Sequence, residues 1–123
     1  MALPRLLARY SPLIATLLVW FFWILWHVPL HLAGMYELSP LVLFGTFFAR
    51  FVFTWLYVRS SGGILTAILF HTSANVASQF IPLTNANLWV EGALALVLVI
   101  GARMWRRLPA GSPAALGSLD PAA

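Results

Sequence analysis

In the stretch Ile68–Leu–Phe–His–Thr–Ser–Ala–Asn–Val76 a histidine and an asparagine stand four residues apart inside a run that is otherwise hydrophobic or small. Four residues is slightly more than one helical turn, so His71 and Asn75 share a face, with Ser78 nearly in line. An imidazole there can act as base, acid or metal ligand, and a carboxamide can donate to a developing oxyanion. A second histidine pair, His27 and His31 in "WHVPLH", has the same spacing. Zinc-protease helices use that spacing to bring two imidazoles to one metal, with a glutamate beside the first histidine. Here Val28 replaces the glutamate and Pro29 distorts the turn, so "HVPLH" alone is a weak metal motif and His31 reads as interfacial. Arg50 lies mid-way through a further apolar run. It is open to three readings: a buried ion pair, a side chain snorkelling to headgroups, or a clamp on a substrate carboxylate. Packing competes with chemistry at His71 and Asn75 as well. Such groups hydrogen-bond between membrane helices, and Ala67, Ser73 and Ala74 would permit close approach.

The elements that carry these residues follow from composition. The chain has 123 residues, 62% hydrophobic and 8% charged, with a mean hydropathy of +0.91. A soluble domain is usually about 45–50% apolar and about 25% charged, so a large apolar surface here must face lipid. The expected class is an all-α integral membrane bundle of about four helices. There is no cysteine, which excludes disulfides, thiolate nucleophiles and cysteine metal sites. The net charge of +4 is carried by arginine, with no lysine. The arginines cluster at the ends of apolar runs, which suits lipid headgroups as partners and not nucleic acid.

Spans of about 20 apolar residues are predicted at about 12–33, 41–58, 63–81 and 88–104. Residues 1–11 form an interfacial lead-in, and 106–123, rich in Pro, Ala and Gly, read as a disordered tail. Pro12 suits a first helical turn, Gly34 an exit, and Pro29 should kink or end the regular part of the first span. Four crossings put Arg5, Arg9, Arg59, Arg103, Arg106 and Arg107 on one side, with Glu37 and Glu91 near the other. Both termini are therefore expected to be cytoplasmic, in a multi-pass protein of the plasma membrane. The first apolar stretch is too long for a signal-peptide core and has no small-residue cleavage site after it.

Two spaced segments fit one family. "WILWHVPLH" followed about forty residues later by "GGILTAILFHTSANV" resembles the CPBP family of intramembrane proteases, which includes the type II CAAX prenyl endopeptidases and bacteriocin-processing enzymes. The family's second motif, an aromatic residue four before a histidine, corresponds to Trp23 and His27. Its third, a histidine followed four later by Asn or Asp, corresponds to His71 and Asn75. "TWLYVRSSGGIL" also looks like the family's lead-in to the third motif. The resemblance covers about residues 3–80. It implies an intramembrane endopeptidase acting on a peptide or prenylated protein, with His27, His71 and Asn75 as catalytic residues. It also implies that His27 and His71 would hold a divalent metal such as zinc, if the reaction uses one.

The family's first motif, paired glutamates followed by an arginine and glycine, has no counterpart: no Glu-Glu pair occurs in the chain. The sequence begins where residues following that motif would stand, so the expectation is an amino-terminally truncated member that is inactive alone. Peptide hydrolysis needs an activated water, and a carboxylate is the family's candidate base. Two other functions compete. One is a non-catalytic membrane scaffold whose polar residues only hold helices together. The other is a bis-histidine haem or metal protein, which would leave Asn75 unexplained. One difficulty concerns depth: at 1.5 Å per residue, His27 lies deeper in its span than His71, so tilt or Pro29 must bring them level.

Overall fold

The computed structural model describes residues 2–82 and 84–116. Six helices follow in order: α1 (Ala2–Leu7), α2 (Pro12–Leu32), α3 (Pro40–Arg59), α4 (Ile64–Phe80), α5 (Asn85–Gly101) and α6 (Pro113–Leu116). The chain is thus all-helical among the described residues, as expected. Two helices begin on the same device. Ser11 and Ser39 accept from Ile14 N and Val42 N at 3.4 and 3.3 Å, with Pro12 and Pro40 at the first helical position. Thr84 caps α5 through Asn87 N at 3.3 Å. α4 begins at Gly63 with no side-chain cap.

Pro29 does not end α2, which stays helical to Leu32 and leaves through Gly34 at a φ of 71°. A proline removes one intrahelical donor, and the turn that follows is closed by Ala33 N donating to the Pro29 carbonyl at 3.0 Å. α2 and α3, at 21 and 20 residues, are long and apolar enough to cross a membrane. α5 is a shorter apolar helix of 17 residues, and α4 is also 17. At 1.5 Å per residue these reach ~26 Å, slightly under the ~30 Å hydrocarbon thickness.

α3 is the central element, packed against α2, α4 and α5. Its two sides do different work. One side presents Phe47, Phe48 and Phe51 to small residues of α5. An added Cβ on Gly92 would lie 3.2 Å from the Phe48 ring, and Ala95 is buried in the same cluster. The other side turns toward α2 and α4. α2 is held to α3 by polar contacts that the hydrophobic pattern conceals. The buried hydroxyls of Thr16 and Thr54 lie 2.8 Å apart, and Thr16 Oγ1 is 2.7 Å from the Pro12 carbonyl. Trp20 Nε1 donates to Thr46 Oγ1 at 3.4 Å. Interhelical bonds of this kind contribute about 0.6–2 kcal/mol in a bilayer. Thr54→Val should therefore lower unfolding free energy by about that amount, measured by denaturation in detergent; an unchanged midpoint would show that the pair does not hold α2 to α3.

The segments outside the spans are more structured than their composition suggests. α1 buries Leu3 and Leu7 against Ala15, Tyr57 and Ala114. In the stretch expected to be a disordered tail, Pro113–Leu116 form α6, which docks on α1. Small side chains make this possible: a Cβ on Gly62 would meet the Pro113 carbonyl at 3.0 Å and Ala114 Cα at 3.3 Å. The remainder of that expected tail, 117–123, lies outside the described residues. Many large hydrophobes stay uncovered, among them Trp26 at 76% and Trp89 at 81% exposure. Apolar exposure on this scale suits lipid as the surrounding solvent.

Candidate active site

α2, the α2–α3 connection, α3 and α4 enclose a cavity of about 290 Å³. Its wall includes His27 and Trp23 from α2, Tyr36 from the connection, Arg50 from α3, and His71 and Asn75 from α4. The four-residue spacing of the last two therefore aims both at one space. His27 and His71 meet there despite their unequal depths. His27 and Arg50 are half-buried, whereas His71 and Asn75 are exposed on a helix that buries no residue at all. The cavity is thus more buried on its α2–α3 side and open along α4.

His27 is held on three sides. Its ring stacks on Trp23 with centroids 3.9 Å apart and planes 31° apart, which gives the aromatic-four-before-histidine spacing a physical purpose. Tyr36 closes over it at 4.8 Å. Nδ1 lies 2.7 Å from the Trp23 carbonyl; a carbonyl can only accept, so Nδ1 carries the proton and Nε2 of the neutral ring keeps a lone pair. Arg50 extends the stack, its guanidinium carbon 5.4 Å from the Trp23 centroid. Burial pushes the Tyr36 hydroxyl above its usual pKa while the nearby Arg50 charge pulls it down, and the phenol stays protonated at neutral pH.

His31 takes no part in this cavity. It is exposed, and its Nδ1 lies 3.0 Å from the Tyr36 carbonyl and 3.3 Å from Leu38 N, so it ties down the connection that delivers Tyr36. Tyr36 itself is the residue that sequence reasoning missed as part of the site. Its aromatic character near a predicted span end pointed to a membrane interface, and nothing in its spacing relates it to His27.

No group of three or more His, Cys, Asp or Glu side chains able to hold a metal exists among the described residues. Two imidazoles fall one short of the three protein ligands of a catalytic zinc site. Arg50 adds a positive charge that opposes a divalent cation in the same space. This donor set does not fit a complete zinc centre, and no step is derived through one. The cavity wall also carries no carboxylate among the described residues. Glu37 is exposed in the α2–α3 connection, and Glu91 belongs to α5, which packs on the opposite side of α3.

With this arrangement in view, comparison with known proteins is decisive. The family described as type II CAAX prenyl endopeptidase Rce1-like matches residues 1–77. The chain belongs to that family. The match contains Trp23, His27, His71 and Asn75 and stops two residues beyond the last of them. CAAX prenyl protease 2 of Methanococcus maripaludis is 31% identical over 107 residues, covering 78% of this chain and 40% of that protein. The chain therefore spans about 40% of the length of this curated relative. No solved structure matches it significantly.

Proposed function

We propose that the chain carries active-site residues of a CAAX-protease-like intramembrane endopeptidase, cutting a peptide or prenylated-protein substrate at or within the membrane. The observation that supports this most is the convergence of His27, His71 and Asn75 on one cavity that also holds a half-buried arginine. Polar groups at this depth are costly unless they serve a partner or a substrate. In this reading His27 Nε2 and the His71 ring take or give protons to the attacking water and the leaving amine. The Asn75 carboxamide donates to the oxyanion that forms on the scissile carbonyl. The metal-ligand role of His27 and His71 belongs to the same proposal and would require a third donor from outside the described residues.

The scaffold reading has less support. Among the described residues, the side-chain hydrogen bonds that join helices run from Thr16 to Thr54 and from Trp20 to Thr46, not through His71 or Asn75. The test is substitution of His71 by Gln in vesicles holding this chain joined to a helix that bears the family's paired glutamates. The protease reading expects cleavage of a prenylated peptide to fall by at least about a hundredfold; a scaffold would tolerate glutamine without loss.

Both termini are cytoplasmic in this reading, with four crossings of the plasma membrane, because six arginines then share one side. The chain has no native cysteine, so one introduced at exposed Ala110 reports alone. Impermeant maleimide should label Ala110→Cys only after the inner face is opened; labelling of intact cells would reverse the orientation.

A further inference from the structure

We propose that the cavity where the end of α5 meets the start of α2 and the last turns of α3 holds the headgroup of one anionic phospholipid, with Arg103, Arg106 and Arg107 binding its phosphate. The cavity measures about 240 Å³, and no histidine lines it. Its three arginines all follow residues 1–77, the stretch that matches the family. The rest of the wall is largely apolar, with Trp55 and Val58 of α3 and Leu108 beyond α5. Neither acid among the described residues reaches it: Glu37 belongs to the α2–α3 connection and Glu91 to the first half of α5.

A charge bias between the two faces of a membrane needs only scattered surface arginines. These three are instead placed by the backbone. Arg103 stands just past α5 at a φ of 49°, the left-handed position that glycine usually fills, and Met104 N donates back to the Val99 carbonyl at 3.0 Å. Arg106 N donates to the Arg103 carbonyl at 2.9 Å, which folds the turn that brings both side chains to one cavity. Met104, only 2% exposed, anchors this turn in the bundle. Leu13 N of α2 donates to the Met104 carbonyl at 2.9 Å, using a donor that a first helical turn otherwise leaves without a partner. The turn is therefore tied to α2 while its arginines stay exposed to a ligand arriving from outside.

Three guanidiniums around one space repel one another unless an anion joins them. Phosphate oxygens match the planar fork of arginine in parallel hydrogen bonds. The surroundings identify the source of that phosphate. Val97 and Ile100 stay exposed on the last turns of α5, an apolar surface beside which acyl chains can lie. Trp105, half exposed, stands in the arginine turn itself, and amphipathic rings favour the headgroup layer. A free phosphate would use the arginines and leave the apolar walls unused. A choline headgroup would bring its own cation against the arginines, so the site selects a lipid of net negative charge.

The experiment uses the full chain in neutral detergent and native mass spectrometry, which counts bound molecules. The probes are dioctanoyl phosphatidic acid, dioctanoyl phosphatidylcholine and glycerol 3-phosphate, the last being the headgroup without its chains. Wild-type protein should bind one phosphatidic acid at least about tenfold more tightly than either other probe, the factor expected of hydrogen bonds to a charged group. Arg103→Gly should lower that affinity about tenfold. Because glycine suits the left-handed position, its melting temperature without lipid should equal or exceed that of wild type. Substituting both Arg106→Gln and Arg107→Gln should bring the preference over phosphatidylcholine to about one. Substituting both Arg5→Gln and Arg9→Gln, an equal loss of charge from exposed positions outside the cavity, should change it by less than about twofold. Circular dichroism checks each fold, and Arg103→Gly carries the test if the Arg106 and Arg107 variant does not fold. Equal binding of the two lipids by wild type would overturn the proposal, as would no binding of either. Equal losses in the two double variants would reduce the effect to diffuse charge and overturn it too. Glycerol 3-phosphate bound as tightly as phosphatidic acid would assign the arginines to a soluble phosphate and remove the lipid.

Discussion

The 123-residue chain by itself is expected to hydrolyse peptide at a rate about 10²–10⁴ below that of the same chain joined to a helix bearing paired glutamates. The proposed reason is that, among the described residues, no carboxylate able to act as general base lines the cavity that gathers His27, His71 and Asn75. Neither acid of the bundle can take over at low cost. Glu37 would have to leave an exposed position in the connection, and Glu91 would have to cross from α5 past the aromatic side of α3. His27 keeps a lone pair on Nε2, but its ring is fixed between Trp23 and Tyr36 and cannot follow a water that nothing else orients. The open α4 side, where His71 and Asn75 are exposed, offers the face for an added helix. A vesicle protease assay of the two forms measures the ratio. Equal rates would show that the histidines suffice.

Asn75→Ala in the glutamate-bearing form should lower kcat by about 10²–10³ while KM stays within about threefold, as when one oxyanion donor is removed. The proposed role fits where Asn75 stands. Its side chain is exposed to the cavity, and the Ser78 hydroxyl bonds to its backbone carbonyl at 2.7 Å, leaving the carboxamide uncommitted. A variant that raises KM and leaves kcat intact would make Asn75 a substrate-binding group instead. A variant that loses helix content would make it a packing residue.

The sequence revealed the helical elements well because their signals are local. Ser11–Pro12 and Ser39–Pro40 announce two starts, although the second helix begins at Pro40, one residue before the expected Leu41, because Ser39 supplies the cap. Gly34 marks the exit of α2, and Pro29, expected to kink the helix or end its regular part, does not end it, since a single lost donor is tolerated so near a helix end. The shared face of His71 and Asn75 was legible from spacing, and the pairing of Trp23 with His27 from the family's motif. Their common cavity was not, because it depends on how α2 and α4 lie on either side of α3. The Thr16–Thr54 contact joins residues 38 apart and leaves no trace in either neighbourhood. Tyr36 enters the site through loop geometry set by His31, and α6 forms because Ala114 and Gly62 are small enough to approach. Each of these is a tertiary fact without a periodic signature.

The central claim is that the cavity on α2, α3 and α4 works on peptide bonds through its histidines. The most direct measurement is cleavage of a prenylated peptide in vesicles by the glutamate-bearing form, compared with the same form carrying His71→Ala and with the 123-residue chain with and without that substitution. The account predicts cleavage in the glutamate-bearing form alone, reduced by about 10²–10⁴ when His71 becomes Ala. Full cleavage with alanine at that position would contradict it, and robust cleavage by the 123-residue chain that His71→Ala abolishes would contradict the role given to the missing carboxylate.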